Sequence, residues 1–414
     1  MSQLNIALAL AGTTVLLLGL FSNPIKRSLL QEPLLAMLAG IAAGPYLLGW
    51  LDLSRWGEEN AILEQAARLT LAISLMGVAL RLEKESLRAL WRPAALLLTF
   101  GMLGMWLAAS ALAGWLLGLS IWMALLVGAV VTPTDPVVAS SIVTGPFASQ
   151  HLPVRLRDLI SLESGANDGL AYVLVMLPVL MLGAAGGGGA WQPRLLDALL
   201  VGVPGAVVIG CAVGWAAARL LAHVEQRGEI EGTSLLGTTI ALSLATLGAA
   251  RLAGADALIS VFVAGVVFNL RTPNREESEE RHVQEAIAKL FTLPMFVIFG
   301  VTLPFGEWAR LGWPLAALAL LVLALRRPPV VLALLPPLRH WLRGRDIAFS
   351  GWFGPVGVAA IYYACFARAH VQEAVVWHAA SAVIFASIII HGATAAPLTR
   401  LYARRAGGEQ GDTR

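Results

Sequence analysis

The sequence predicts an all-α, polytopic membrane protein of about thirteen transmembrane helices, built as two six-helix repeats inverted about a linking seventh helix. Three observations predict it: an apolar composition, a strict alternation of basic residues between successive connections, and a matched pair of broken apolar segments. Of 414 residues, 57% are hydrophobic and only 13% charged, with a mean hydropathy of +0.74. Soluble domains run at ~25% charged and less than half apolar. The net charge of +3 is spread over short loops, so no nucleic-acid partner is expected. Cys211 and Cys365 lie inside apolar runs and read as small core residues rather than a disulfide. No Gly-x-Gly-x-x-Gly with a following acid, no phosphate-binding Gly-Lys-Ser/Thr loop and no Cys/His ligand spacing occurs. Neither a cofactor nor an enzymatic activity is expected.

In order, the apolar runs fall at roughly 3–21, 29–49, 65–82, 92–118, 121–144, 156–183, 195–222, 232–252, 255–270, 285–305, 311–337, 347–367 and 373–398. The first lacks a basic stretch before it and a small-residue cleavage site after it, so it reads as a retained helix, not a signal peptide. Odd-numbered connections carry the lysines and most arginines, including Lys26, Arg27, Lys84, Arg88, Arg155, Arg157, Lys289, Arg339 and Arg343. Even-numbered ones carry only Arg55, Arg68, Arg194, Arg251, Arg310 and Arg368. This alternation puts the N-terminus outside and the C-terminus in the cytoplasm of a cell-membrane protein, and it requires an odd number of crossings. Gly183–Gly189 with Ala190–Pro193 reads as a flexible outside loop, and Thr272–Glu285 as a charged inside loop. The thirteen tryptophans read mostly as an interfacial belt.

Two adjacent runs hold groups that hydrocarbon does not tolerate. The fifth contains Thr132-Pro133-Thr134-Asp135-Pro136, and the sixth opens with Glu163-Ser164-Gly165-Ala166-Asn167-Asp168-Gly169. A carboxylate at the bilayer centre costs at least ~2.5–3.5 kcal/mol, so such residues mark ion or proton pathways. Pro133 and Pro136 prevent a continuous helix, and the freed backbone groups need other partners. In the twelfth run, Gly351-Trp352-Phe353-Gly354-Pro355-Val356-Gly357 forms a second unwound segment around Gly354 and Pro355. The two breaks lie seven helices apart and cross in opposite senses. Paired breaks of this kind are where secondary transporters bind their ions.

On the sixth helix Ser164 and Asp168 share a face, as do Glu163 and Asn167, while Glu163 and Asp168 diverge by roughly 140°. The two acids should therefore have different partners. Asp168 is assigned to a monovalent cation and to the proton, one displacing the other. Asp135, the Thr134 and Ser164 hydroxyls and carbonyls freed by the prolines are expected to supply further oxygens, with Asn167 adding a neutral hydrogen-bonding group. A single titratable carboxylate favours electroneutral exchange. Glu163 needs a buried cation, and the eleventh helix offers Arg326-Arg327-Pro328-Pro329; Arg327 is the expected partner, with Arg326 the alternative. Blander readings stand beside these. Asp135 before Pro136 has the form of a helix N-cap. Asp168 could be structural, but no nearby base explains it. Asp256 and Glu32 sit near helix ends and read as interfacial. His378 and His391 read as packing residues rather than pH sensors.

The Thr132–Pro136 and Glu163–Gly169 motifs, with Gly351–Pro355 and His391-Gly392, resemble the NhaP/NHE branch of the cation/proton antiporters, the CPA1 group. The resemblance covers the whole chain. It implies a homodimer, two crossed unwound helices and elevator-like alternating access. It also implies one transmembrane domain over about 1–400, with core helices at about 92–183 and 311–398 and dimerisation helices at about 3–82 and 195–305, then a cytoplasmic tail over 401–414. Where many members carry an arginine, this chain has Val356, which is more similar to the fungal plasma-membrane Na⁺(K⁺)/H⁺ antiporters.

The expected function is exchange of Na⁺ or Li⁺ for H⁺. K⁺/H⁺ exchange by the same machinery is the alternative. A cation channel is disfavoured because its filter would repeat around an axis. An intramembrane aspartyl hydrolase is disfavoured by the setting of the two aspartates.

Overall fold

In the computed structural model, every described residue outside turns and loops is helical, and no strand occurs among the described residues. The description covers residues 2–411 except 22–24, 26–30, 186–190, 228–233 and 273–276. Helix α1 spans Ser2–Leu20, α2 Glu32–Ala43, α3 Glu59–Arg81 and α4 Lys84–Leu117, with a π-turn at Leu97–Gly101. The fifth crossing is split into α5a, Ile121–Val130, and a four-residue α5b, Ser140–Val143. Then follow α6 (Val154–Ala185), α7 (Val203–Gln226), α8 (Ser234–Leu252), α9 (Ala257–Arg271), α10 (Glu277–Val301) and α11 (Trp313–Leu325). The twelfth crossing is split into α12a, Gly344–Trp352, and α12b, Val358–Val371; α13 covers Ala374–Gly411.

Each of the thirteen apolar runs therefore corresponds to a helix or a broken pair. Seven described helices are individually long and apolar enough to cross a membrane. The shorter apolar helices α2, α5a, α9 and α12b complete the bundle beside α8 and the bent segment ending α10. Two boundaries differ from the sequence reading. The charged stretch expected as a loop over 272–285 is helical from Glu277; residues 273–276 lie outside the described set. Similarly, the last helix, expected over about 373–398, continues as α13 to Gly411. The glycine-rich loop expected after Gly183 lies largely outside the described residues, and α6 extends to Ala185.

Helix α7 packs on α9, α9 on α3, and α10 on α2 and α3, whereas α5a packs between α4 and α6, and α11 lies against α4 and α13. Small residues permit the closest crossings. A Cβ at Gly214 would fall 2.4 Å from the Ala264 carbonyl, and one at Gly40 2.0 Å from that of Val297. The outward faces of α1 and α7 are leucine- and valine-rich and exposed, as at Leu8, Leu16, Val208 and Leu220. That is the pattern of helices facing lipid or another apolar surface.

Candidate ion-binding site

The two breaks meet in the middle of the bundle, where the backbone has lost its own helical partners. Helix α5a stops at Val130 because Pro133 and Pro136 cannot donate the amide protons a continuing helix would need. Thr132 turns its hydroxyl back onto the Gly128 carbonyl (2.7 Å). Helix α12a stops at Trp352, and Gly354-Pro355-Val356-Gly357 runs extended past the first break. The Asp135 amide donates to the Pro355 carbonyl at 2.8 Å, joining the two unwound strands directly.

Asp135 caps both half-helices. One carboxylate oxygen accepts from the Val137 and Val138 amides (2.6 and 3.4 Å), closing the turn that leads into α5b. The other accepts from the Val358 amide at 2.5 Å, at the first turn of α12b. Two helix N-termini thus converge on one buried carboxylate, complementing their orphan amides and dipoles. Only glycine fits opposite: a Cβ at Gly357 would lie 1.9 Å from Asp135 Oδ2.

The guanidinium of Arg326 satisfies the freed carbonyls. Nη1 donates to the carbonyls of Val131, Thr132 (2.9 Å) and Pro133 (3.4 Å), and Nη2 to that of Gly354 on the other break. The sequence reading offered carbonyls freed by Pro133 and Pro136 as cation ligands; here a fixed cation is bonded to three carbonyls of that break. Arg327, the next residue, makes a bidentate pair with Glu163 at 2.8 and 2.9 Å and donates from Nε to the Ser350 carbonyl at 3.0 Å. Both partners of the pair are at most 2% exposed. Both arginines are buried, at 1% and 2% exposure.

Asn167 lies between Glu163 and the first break. Its Nδ2 donates to Glu163 Oε1 (3.0 Å) and Thr134 Oγ1 (2.8 Å), and its Oδ1 accepts from the Thr134 amide (3.0 Å). The Thr134 and Ser164 hydroxyls are hydrogen-bonded at 2.9 Å. Asp168, one turn beyond Ser164 on α6, is different. It is 0% exposed, and neither carboxylate oxygen has a hydrogen-bond partner among the described residues. Its neighbours in the motif are already committed to one another.

Ser387 and Tyr363, not singled out from the sequence, complete the surroundings together with His391. Ser387 on α13 accepts from the Val356 amide (2.7 Å) and is bonded to His391 Nδ1 (3.0 Å), whose Nε2 lies 3.2 Å from the Trp352 carbonyl. These residues hold both ends of the second break, so His391 acts as a hydrogen-bonded structural residue. Tyr363 on α12b donates its phenol hydrogen to the Asp168 carbonyl at 2.6 Å. A tyrosine or serine in an apolar helix carries no sequence signal that separates it from ordinary packing. Of the acids read as interfacial, Glu32 pairs with Lys289 at 2.9 Å, and Asp256 accepts the Ile259 amide (2.8 Å) as the cap of α9.

Residues 12–401 match the family model described as the transmembrane part of the sodium/hydrogen exchangers. The chain belongs to the sodium/hydrogen exchanger family. Among curated members it is 30% identical, over 95% of its length and 53% of the relative's, to Na⁺/H⁺ antiporter 2 of Zygosaccharomyces rouxii. It is 25% identical, over 94% of its length and 66% of the relative's, to the K⁺/H⁺ antiporter NhaP of Alkalimonas amylolytica. The chain spans about half the length of the first fungal exchangers it matches. In fold it is similar to the sodium proton antiporter MjNhaP1 of Methanocaldococcus jannaschii, with a TM-score of 0.74 over 97% of this chain and 98% of that one, at 16% identity. The architecture is thus the antiporter fold of the exchanger family, multi-pass and membrane-embedded.

Proposed function

We propose that the protein exchanges Na⁺ or Li⁺ for H⁺ across a cell membrane, electroneutrally, with Asp168 binding cation and proton in turn. The observation that carries this reading is the pair of unpartnered Asp168 oxygens in the bundle interior. A buried carboxylate without partners is costly when ionised. It is relieved by a proton or by a cation, and a single carboxylate takes one at the expense of the other. The Thr134 and Ser164 hydroxyls each keep acceptor capacity for the same cation, and Asn167 holds them in register. Asp135, whose oxygens already serve three amides, contributes a fixed negative charge rather than a mobile ligand.

The Glu163–Arg327 pair ties α6 to α11, so the helices at about 92–183 and 311–398 are proposed to move together as a core. The remainder forms the scaffold and, through the exposed apolar faces of α1 and α7, a homodimer contact. The alternation of lysine and arginine supports an external N-terminus and a cytoplasmic C-terminus. A K⁺/H⁺ exchanger remains the second reading, favoured by the similarity to a relative named K⁺/H⁺ antiporter.

The test is dye-reported proton flux in proteoliposomes given Na⁺, Li⁺ or K⁺ separately. Cation-dependent flux that Asp168→Asn abolishes supports the proposal, and the responding cation decides between the two readings. Flux retained by Asp168→Asn refutes the site. Currents faster than carrier turnover refute exchange in favour of a channel.

A further inference from the structure

Helix α12b touches the site at two points, and only one of them is a cap. At its first residue, the Val358 amide is bonded to Asp135 Oδ2. Five residues on, the Tyr363 hydroxyl donates to the Asp168 carbonyl at 2.6 Å and lies 3.4 Å from that of Gly169. The five-residue step spans about 7.5 Å of rigid helix, so α12b links Asp135 and the Asp168 backbone through a stiff spacer.

Helix α9 also packs closely on α6 at this turn. A Cβ at Gly169 would stand 2.6 Å from Ile259 Cγ1 and 3.1 Å from the Ile259 amide, so α9 presses directly on the turn that bears Asp168. The α6 backbone there meets both α9 and the Tyr363 phenol, which is itself 0% exposed, its ring centroid 5.0 Å from that of Tyr362. A mid-helix carbonyl already has a helical partner available. The phenol's second bond to it therefore adds location rather than satisfying a vacant acceptor. Cation binding depends on several oxygens meeting at one separation, whereas proton binding needs only the Asp168 oxygen itself.

We infer that Tyr363 is a positioning residue for the cation: its phenol, bonded to the Asp168 carbonyl, sets the spacing between Asp168 and Asp135 that the cation reads. This rests on the proposed role of Asp168. Removing the hydroxyl weakens cation binding and leaves proton binding alone.

The experiment compares wild type and Tyr363→Phe in proteoliposomes, measuring Na⁺- and K⁺-driven proton flux over a range of pH. Loss of one positioning hydrogen bond corresponds to an about threefold to tenfold rise in the cation KM. The expected rise is the same factor at every pH, with maximal rate and the shape of the pH profile kept. An unchanged KM, or a fall in maximal rate at constant KM, overturns the inference by showing the phenol to be only structural. If Tyr363→Phe does not fold, 3-fluorotyrosine at 363 strengthens the donor and should lower KM at pH values where the phenol stays protonated; no change there overturns the inference equally. Asp168→Asn run in parallel separates the two ideas. Exchange retained in that variant removes the proposed function, while exchange lost there with Tyr363→Phe indistinguishable from wild type removes only the role of Tyr363.

Discussion

Glu163→Gln breaks the most deeply buried ion pair among the described residues with almost no change in volume. In the native arrangement Arg327 places Nη1 and Nη2 on the two Glu163 oxygens and Nε on the Ser350 carbonyl. Glutamine keeps one acceptor oxygen, for which Arg327 Nη1 and Asn167 Nδ2 compete, and turns an NH₂ toward Arg327 Nη2, donor against donor. The guanidinium keeps its charge and loses its counter-charge where both side chains are at most 2% exposed. Breaking one partner of such a pair costs ~3–5 kcal/mol, while replacing both by apolar groups is often close to neutral. Thermal unfolding of purified protein in detergent should therefore show a melting temperature lowered by several degrees in Glu163→Gln and in Arg327→Met. The double variant Glu163→Leu/Arg327→Met should recover most of the loss. In the closed cycle of Glu163→Leu, Arg327→Met and the double variant, the double change should cost at least ~2 kcal/mol less than the two single losses summed. A Glu163→Gln protein with wild-type yield and melting temperature, or strictly additive losses, would refute the reasoning that the pair holds α6 to α11.

The other acids should behave differently. Asp168→Asn removes a carboxylate with no partner, so it should abolish exchange while leaving the melting temperature unchanged or higher, read in the same unfolding assay. Asp135→Asn places an NH₂ against an amide it formerly accepted, at the helix start of either α5b or α12b. We expect a loss of ~1–3 kcal/mol together with severely reduced flux, and stability equal to wild type would contradict the double-cap geometry. Arg326→Lys trades a fork that spans both breaks for a point charge; unfolding should begin at lower temperature and flux should fall, whereas a silent substitution would show that the freed carbonyls need no guanidinium. If proton and cation compete for Asp168, the apparent cation KM should rise about tenfold per pH unit on the acid side of the titration, with maximal rate preserved. A KM independent of pH across that range would exclude a shared carboxylate.

The correspondence between sequence and structure is uneven for identifiable reasons. Thirteen apolar runs were legible because crossing length and hydropathy are properties of contiguous residues. The breaks at Pro133, Pro136, Gly354 and Pro355 were legible because proline and glycine act locally on the backbone. The different surroundings of Glu163 and Asp168 followed from helical phase alone, since five residues on one helix set their directions apart. Which arginine faces Glu163 did not follow, because Arg326 and Arg327 are neighbours separated by a rotation that only the position of α11 converts into a partner. Nor did it follow that Arg326, almost two hundred residues later, would donate to carbonyls of the first break, where the prolines were expected to free oxygens for the cation.

What the chain determined on its own, then, is its solvent, its crossings, the two places where helix must fail and the acids placed near one of them. These depend on composition and on neighbours within a turn or two. The tertiary structure decided which polar groups are consumed by one another: Asp135 by three amides, Glu163 by Arg327, the Thr134 hydroxyl by Ser164 and Asn167. Only that allocation, made between segments far apart in the chain, leaves the Asp168 oxygens without a partner among the described residues. Hydrogen bonds and ion pairs act over a few ångströms of space, not of sequence, so the group left over is known only once the helices have been packed.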